Sequence, residues 1–469
     1  MGGGCNQRRG ACGRMREIDD GRRKWWVLAA MGGVLGLILL DETVVGVALP
    51  TIRDDLGMSQ VTAHWVVNAY LLVFAGLVIA GGKLGDMIGL RRLFVGGVAL
   101  FGLASMMAGF ADGSAWLITA RGVQGVGAAV IFPASTAILT RVFAPAERGL
   151  ALGIYAAIGT VFVALGPLVC GFFTDTLSWR WIFWINLPLV VAIALAVLLV
   201  WTEPAPAQYA RRFDYHGLVT LVLGLGALVF AIMEGPDWGW QHPLIWALLA
   251  CGAMLLALFV LAERQAPLPL IEIDLFRSPL FTVSSLMLFT AQFNEIAMIV
   301  FGSLYLQDVL QMSALQAGLA MLVAVGPIPF VAVSAGRIAD RFGQHWPSIA
   351  GLALTGVGML LLAGAVAFER YAFMVAPMVV WSVGIPFMFG PSQRAMMNAV
   401  ASDKQGQAAG IGRGAQQMGG TIGMAVCGTL LAMTGAFEAV FLVAGCLSLA
   451  VLAIDWRVID DQALRSSPA

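Results

Sequence analysis

The sequence predicts an all-α polytopic membrane protein made of two similar halves, and three observations predict it. Of 469 residues, 59% are hydrophobic and only 12% charged, with a mean hydropathy of +0.86. A soluble domain must meet water over its whole surface and does not carry so much apolar sequence. Apolar runs of about 18 or more residues recur, each long enough as helix to cross a ~30 Å hydrocarbon layer. They are too continuous for the alternating ~10-residue strands of a membrane barrel. The third observation is a repeat. In the polar turn Gly81 to Arg92, residues Gly82, Lys83, Asp86 and Gly89 return as Gly336, Arg337, Asp340 and Gly343, each 254 positions later. Leu56, Met58 and Ser59 return as Leu310, Met312 and Ser313 at the same offset. A fixed offset over a whole motif marks an internal duplication.

Taken in order, residues 1–24 are rich in Gly and Arg and read as a disordered tail. Fourteen spans follow: Trp25–Leu49, Val61–Gly81, Leu93–Ala111, Ala115–Leu139, Leu150–Phe173, Ile182–Trp201, Gly217–Met233, Leu244–Ala262, Leu280–Tyr305, Ala314–Ala335, Trp346–Ala367, Tyr371–Met397, Gly406–Met433 and Phe437–Ile454. The repeat matches span 2 to span 10, so each half has six helices. The first half is 25–201 and the second 280–454. Residues 202–279 form a linker with two spacer helices, and 455–469 a short C-terminal tail.

Charge orients the chain. With both termini inside, inner segments hold 22 Lys and Arg, counting Arg394 at the inner end of its span, and outer loops three. The positive-inside rule therefore places both tails in the cytoplasm. The net charge is zero and carries no information about partners. Cys170, Cys251, Cys427 and Cys446 lie in apolar runs, where a thiol is a small apolar side chain. Cys5 and Cys12 lack metal-type neighbours, so neither a disulfide framework nor a metal site is expected. No G-x-x-x-x-G-K-[ST] loop is present to hold a nucleotide. The four histidines sit at span ends without ligand spacing. A membrane-embedded enzyme is therefore not the expected reading.

Two six-helix halves in parallel orientation resemble the architecture of the major facilitator fold, in which substrate is held between the halves near the midplane. Specific motifs agree. Gly82–Arg92 resembles that superfamily's turn after helix 2. Leu117 to Gly127, with Arg121, Gln124 and Gly125, is similar to its helix 4 motif. Gly159 to Gly171, with Gly166-Pro167, resembles the antiporter motif of helix 5. Leu40-Asp41, Thr43 and Val47-Ala48-Leu49-Pro50, together with Ser178 to Pro188, resemble signatures of the drug:proton antiporters with fourteen spans, the EmrB/QacA subfamily. Met87, Leu90, Gly46 and Cys170 depart from that pattern. The resemblance implies a proton-coupled exporter of lipophilic or cationic compounds, in a bacterial cytoplasmic membrane, working by alternating access. It would use the proton gradient and no cofactor. Its partners would be the bilayer, protons and a small amphipathic substrate, with no nucleic acid, and a monomer is the default. An importer or uniporter of a small nutrient is the alternative on the same fold.

The candidate site residues are the charges inside spans. A carboxylate at the bilayer centre costs about 2.5–3.5 kcal/mol on the insertion scale, so it faces a cavity or a partner. A carboxyl held away from water can load and release a proton. Asp41 leads, nine residues before Pro50 and so roughly 13 Å deep. Glu42 projects about 100° away from it and ranks lower. Glu295 is Asp41 displaced by 254, so the two acids are expected to flank the central cavity from opposite halves. Arg121, at a similar depth, needs an acceptor, and Asp41 or Glu42 is expected to supply it. Arg413 is a weaker candidate that could instead snorkel toward the inner end. The turn residues Gly82, Asp86, Gly89, Arg91 and Arg92, and their echoes Gly336, Asp340 and Arg341, read as a gate. In it Asp86 is expected to cap a neighbouring helix. Gly159, Gly166, Pro167 and Gly171 give one helix a thin, bendable face.

Overall fold

The computed structural model describes residues 5–144, 147–201, 203, 214–266, 269–343, 345–400 and 405–466. Within these, side chains are described from Arg23 to Trp456 except those of Asp86 and Gly406. Among the described residues there is no strand. The first bundle holds α1 (Cys5–Asp55), α2 (Gln60–Ile88), α3 (Leu90–Gly109), α4 (Ser114–Val142), α5 (Arg148–Thr176) and α6 (Trp181–Val200). A hairpin of α7 (Tyr215–Trp238) and α8 (Pro243–Gln265) follows. The second bundle holds α9 (Pro279–Val309), α10 (Ala314–Phe342), α11 (His345–Val366), α12 (Tyr371–Asn398), α13 (Gln405–Thr434) and α14 (Phe437–Ser466).

Thirteen of these helices are long and apolar enough to cross a membrane. The exception is α13, whose apolar run is interrupted by Arg413, Gln416 and Gln417. Residues 5–24, expected to be a disordered tail, instead continue α1 as helix. Extending a helix that already exists needs no new nucleus, so a polar segment can follow it.

The duplication is written in the backbone as well as in the sequence. Ser59 Oγ accepts from Thr62 N at 3.1 Å and caps α2. Its counterpart Ser313 caps α10 through a reciprocal box with Gln316. Gly57 (φ +59°) and Gln311 (φ +54°) occupy the same left-handed turn position, as do Gly89 (φ +94°) and Gly343 (φ +82°) at the end of each motif. Helices α1 and α9 cross on the axis that relates the halves. A β-carbon on Gly46 would stand 2.9 Å from Val300 Cγ2, and Val300 is Gly46 displaced by 254.

The halves meet along two seams, α2 with α13 and α5 with α10. The second seam is closed at the face opposite the 81–92 turn. A β-carbon on Gly171 would stand 2.6 Å from Leu315 Cα, and one on Gly318 would collide with the Pro167 carbonyl oxygen. Small residues let the two helices touch there. Polar groups clasp the same face. Arg53 donates twice to Asp308, at 2.9 and 3.1 Å. Asp175 accepts from Ser313 Oγ at 2.6 Å and Leu315 N at 3.0 Å. Gln307 donates to the Val47 carbonyl at 2.8 Å.

The hairpin lies beside the first seam. In α7, Glu234 accepts from Trp65 of α2 at 2.7 Å, and the Ile232 carbonyl accepts from Thr429 of α13 at 2.7 Å. Two helices depart from regular geometry. α9 has π turns at Ala297–Phe301 and Tyr305–Val309, the first immediately after Ile296. α10 is interrupted at Gly326-Pro327, between Ala314–Val325 and Ile328–Phe342. Single π turns inside α-helices occur often at functional sites.

Candidate functional site

Two buried ion pairs sit side by side at Asp41 and Glu42, within the membrane-spanning part of α1. Asp41 points into the first bundle and is fully buried. Its Oδ2 accepts from Arg121 Nη1 at 2.5 Å, and its Oδ1 from Gln124 Nε2 at 2.8 Å and Asn186 Nδ2 at 3.3 Å. Ser105 Oγ closes the network by accepting from Gln124 at 2.8 Å and Asn186 at 3.2 Å. Arg121 further donates through Nε to the Val66 carbonyl at 3.0 Å and through Nη1 to Gln124 Oε1 at 2.6 Å. One hydrogen-bonded network around this carboxylate thereby joins five helices, α1, α2, α3, α4 and α6. A buried pair persists when its remaining hydrogen-bonding capacity is also met, and here most of it is.

Glu42 faces the other way, into the α2–α13 seam. Its Oε1 accepts from Arg413 Nη2 at 3.1 Å and Gln417 Nε2 at 2.8 Å, both on α13 of the second half. Arg413 also donates to Gln416 at 3.0 Å, and its guanidinium lies 5.2 Å from the Phe74 ring centre and 4.8 Å from that of Phe132. The cation thus rests on aromatic faces of the first half. Glu295 is partly exposed, and among the described residues it has no hydrogen bond or ion pair. The charges that act on it are those of Glu42 and Arg413.

Of the two acids expected to pair with Arg121, Asp41 is the one that does; what the geometry revises is the direction in which the acids face. Asp41 does not face Glu295 across the centre; Glu42 is the acid at the seam near Glu295. The reason is helical: neighbouring side chains diverge by about 100°, and α4 and α6 offer Asp41 three donors inside the bundle. Arg413 does not snorkel toward a helix end but pairs across the halves.

The first turn contacts its own half and the linker, and the second turn contacts its own half. Leu90 N and Arg91 N donate to Glu203 at 2.7 and 3.1 Å, so Glu203 caps α3. Arg141 lies 3.7 Å from the same carboxylate, and Arg91 Nη2 donates to the Leu198 carbonyl at 2.6 Å. The cap expected from Asp86 is thus supplied at α3 by Glu203; the Asp86 side chain lies outside the described residues. Gly82 is partly buried and Arg92 exposed. Lys83 donates to the Pro269 carbonyl, beyond α8. In the second half Asp340 pairs with Arg394 of α12 beside Gly336, and Arg341 stands 5.2 Å from the Phe342 ring centre. On α5, Gly159 and Gly166 face Leu35 and Thr43 of α1, whereas Gly171 faces α10.

The sequence alone did not single out Ser105, Asn186, Gln417 and Glu203 as site members. Gln124 and Asn186 lay within quoted motifs, and a polar residue in an apolar span was the signal available for them. Among the described residues no cluster of His, Cys, Asp or Glu could hold a metal ion.

Comparisons with known proteins agree with this architecture. The family model for the Major Facilitator Superfamily matches residues 31–423 and 283–468. The multidrug resistance protein Stp of Mycobacterium tuberculosis is 33% identical over 412 residues, covering 88% of this chain and 76% of its own. The puromycin resistance protein pur8 of Streptomyces alboniger is 33% identical over 426 residues, 89% and 83% of the two chains. The cephamycin export protein CmcT of Amycolatopsis lactamdurans is 34% identical over 418 residues, 85% and 82%. A crystal structure of a POT family transporter has the same fold, with a TM-score of 0.70 at 13% identity, covering 94% and 96% of the chains. Helices that span a membrane, a duplicated six-helix half and this family match lead to one statement: the chain is a membrane transport protein belonging to the Major Facilitator Superfamily.

Proposed function

We propose that the protein is a proton-coupled antiporter that exports lipophilic, preferably cationic, small molecules by alternating access. The observation that carries this reading is the Glu42–Arg413 pair, which bridges the halves at 3.1 Å beside the unpartnered Glu295. An ion pair across the seam must be remade whenever the halves rock, so its occupancy is tied to their arrangement. The names of the similar proteins, which include multidrug, puromycin and cephamycin resistance or export, support efflux over uptake. On this reading the chain crosses the membrane fourteen times, with α13 as the polar-lined crossing and both termini in the cytoplasm.

The face closed by Gly171, Gly318 and the Arg53–Asp308 clasp is then the outer one, and the seam opens toward the cytoplasm. A cation entering between Glu42 and Glu295 competes with Arg413 for carboxylate and displaces protons inward. Its apolar body lies against Phe74, Phe132 and neighbouring side chains. Rocking breaks the outer clasp. Protons from outside then neutralise the acids, and the cation leaves. Asp41 and Arg121 keep α1 fixed within its bundle while this happens. The motif turns latch the inner face in the alternative state, when Gly82–Arg92 and Gly336–Arg341 approach the opposite half.

The test is ethidium and puromycin accumulation in everted membrane vesicles. The wild-type chain should accumulate both under an imposed proton gradient, and Glu42→Gln should lose nearly all of that accumulation. Wild-type accumulation that persists after the gradient is collapsed would overturn the proton coupling. Loss of both probes from a loaded interior only down their own gradients would favour a uniporter.

A further inference from the structure

Where the hairpin meets the 81–92 turn, two carboxyl groups crowd one point, and nothing in the proposed cycle uses them. Glu263, in the last turn of α8, is only 2% exposed. Its Oε2 accepts from Ile271 N at 3.0 Å. Asp214 caps α7, its Oδ1 accepting from Gly217 N at 2.8 Å. The second oxygen of each acid is the unexplained one. Glu263 Oε1 is buried and has no hydrogen-bond partner among the described residues. Asp214 Oδ2 accepts no hydrogen bond from them either. A β-carbon on Gly217 would stand 2.5 Å from Glu263 Oε1 and 2.8 Å from Asp214 Oδ2, so both oxygens press into the space that glycine leaves. Two ionised carboxylates cannot share such a place without cost. A protonated carboxyl is a donor, and one proton would satisfy both oxygens. Two carboxyl groups are too few to clothe a metal ion.

The neighbouring charges leave this arrangement intact. Asp214 and Lys83 of α2 are the charged groups that act on Glu263. Lys83 directs its ammonium to the Pro269 carbonyl, and Glu272 acts on Lys83. Asp274 pairs with Arg277 in solvent at 3.2 Å, and His216 and Arg264 are exposed. The segment 269–277 is therefore a strap with two fastenings, Lys83 on Pro269 and Glu263 on Ile271. Ile271 packs against the apolar cluster of Leu221 and Phe259, in the hairpin, and against that of Met396 and Ile411, in the second bundle. The strap thus ties the first-half turn, the hairpin and the second half together.

We propose that Glu263 and Asp214 share one proton, and that its release as pH rises at this face unfastens the strap. The proton sits on Glu263 Oε1 and is donated to Asp214 Oδ2. On release the O–H bond of Glu263 breaks and the proton passes to water. The two carboxylates then repel, Glu263 turns toward solvent, and Ile271 loses its acceptor. This site is separate from Glu42 and Glu295 and does not depend on the antiport reading.

Infrared spectroscopy of the full chain in lipid nanodiscs near neutral pH reads the proton directly. Glu263→Gln keeps an acceptor for Ile271 and offers Asp214 an N–H, so it preserves the fastening. The wild type should show one protonated-carboxyl band that this variant lacks. Asp214→Asn keeps the cap on Gly217 and offers Glu263 an N–H; it should lose the same band, because Glu263 then ionises. A spectrum unchanged in Glu263→Gln overturns the shared proton. A band lost in Glu263→Gln but kept in Asp214→Asn overturns it too, since burial alone then protonates Glu263. Hydrogen exchange tests the strap. Corrected for the chemical rate, exchange at the Ile271 amide should rise about tenfold from mildly acidic to mildly alkaline buffer, the factor that one hydrogen bond to a carboxyl carries. It should stay level in Glu263→Gln. Level exchange in the wild type, or an equal rise in the variant, overturns the pH-released strap.

Discussion

Replacing Asp41 by asparagine isolates the strongest interaction in the first bundle. Asp41 and Arg121 are 0% and 1% exposed, and the pair is 2.5 Å long. Neutralising the acid leaves a guanidinium buried without a counter-charge, which costs about 3–5 kcal/mol in comparable sites. Part of that is offset here. Arg121 keeps the carbonyl of Val66, the amide oxygen of Gln124 and the face of Tyr70, and a desolvated cation–ring contact contributes ~2 kcal/mol. The low end, about 3 kcal/mol, is therefore expected. Arg121→Met in the same chain should recover much of it by removing the orphaned cation, with a coupling between the two changes of about 1–3 kcal/mol. Urea unfolding in detergent, followed by tryptophan fluorescence, measures all four members of the cycle. Asp41→Asn within about 0.5 kcal/mol of the wild type, or strictly additive single changes, would show that the pair does not pin the bundle.

Other consequences are independent of that cycle. Gly318→Val places a side chain against the Pro167 carbonyl and should hold α5 and α10 apart; spin labels across that seam should report a wider distance, and an unchanged distance counts against glycine contacts as the closing element. Gln311 holds a left-handed φ of +54° where its counterpart is Gly57, so Gln311→Gly should stabilise by about 1 kcal/mol, the strain that a β-carbon imposes there; urea unfolding checks it. Glu203→Gln weakens the cap of α3 and should cost about 1–2 kcal/mol, read as faster hydrogen exchange at Leu90 and Arg91, with unchanged exchange refuting the cap.

Much of this was legible in the chain because duplication repeats both composition and backbone. The 254-residue offset aligned Ser59 with Ser313 and Gly89 with Gly343, and the structure gives each pair the same cap or the same positive φ. The spans were legible because hydrocarbon demands long apolar runs, and Arg121 was legible as a buried cation in need of an acid. The direction in which each acid faces was not. Asp41 and Glu42 are adjacent, and periodicity alone cannot say which of two neighbours meets the bundle and which the seam. That choice is made by Gln124 and Asn186 on one side and by Arg413 and Gln417 on the other, from helices far apart in sequence. The π turns of α9 also left no signal; the first lies where Val300 meets Gly46 of α1, a contact between residues far apart in sequence. Glu203 was missed because it lies in a connection, where an acid looks like any solvated charge.

The proposed exchange across the seam is tested most directly by measuring both fluxes at once. Purified protein in liposomes, loaded with ethidium and a pH-sensitive dye, reports cation movement and proton movement in the same sample. The account predicts that each wild-type ethidium transfer is accompanied by opposite proton movement. It also predicts that Glu295→Gln uncouples the two, leaving ethidium to move only down its own gradient. Proton-coupled ethidium exchange that survives intact in both Glu295→Gln and Glu42→Gln would contradict it.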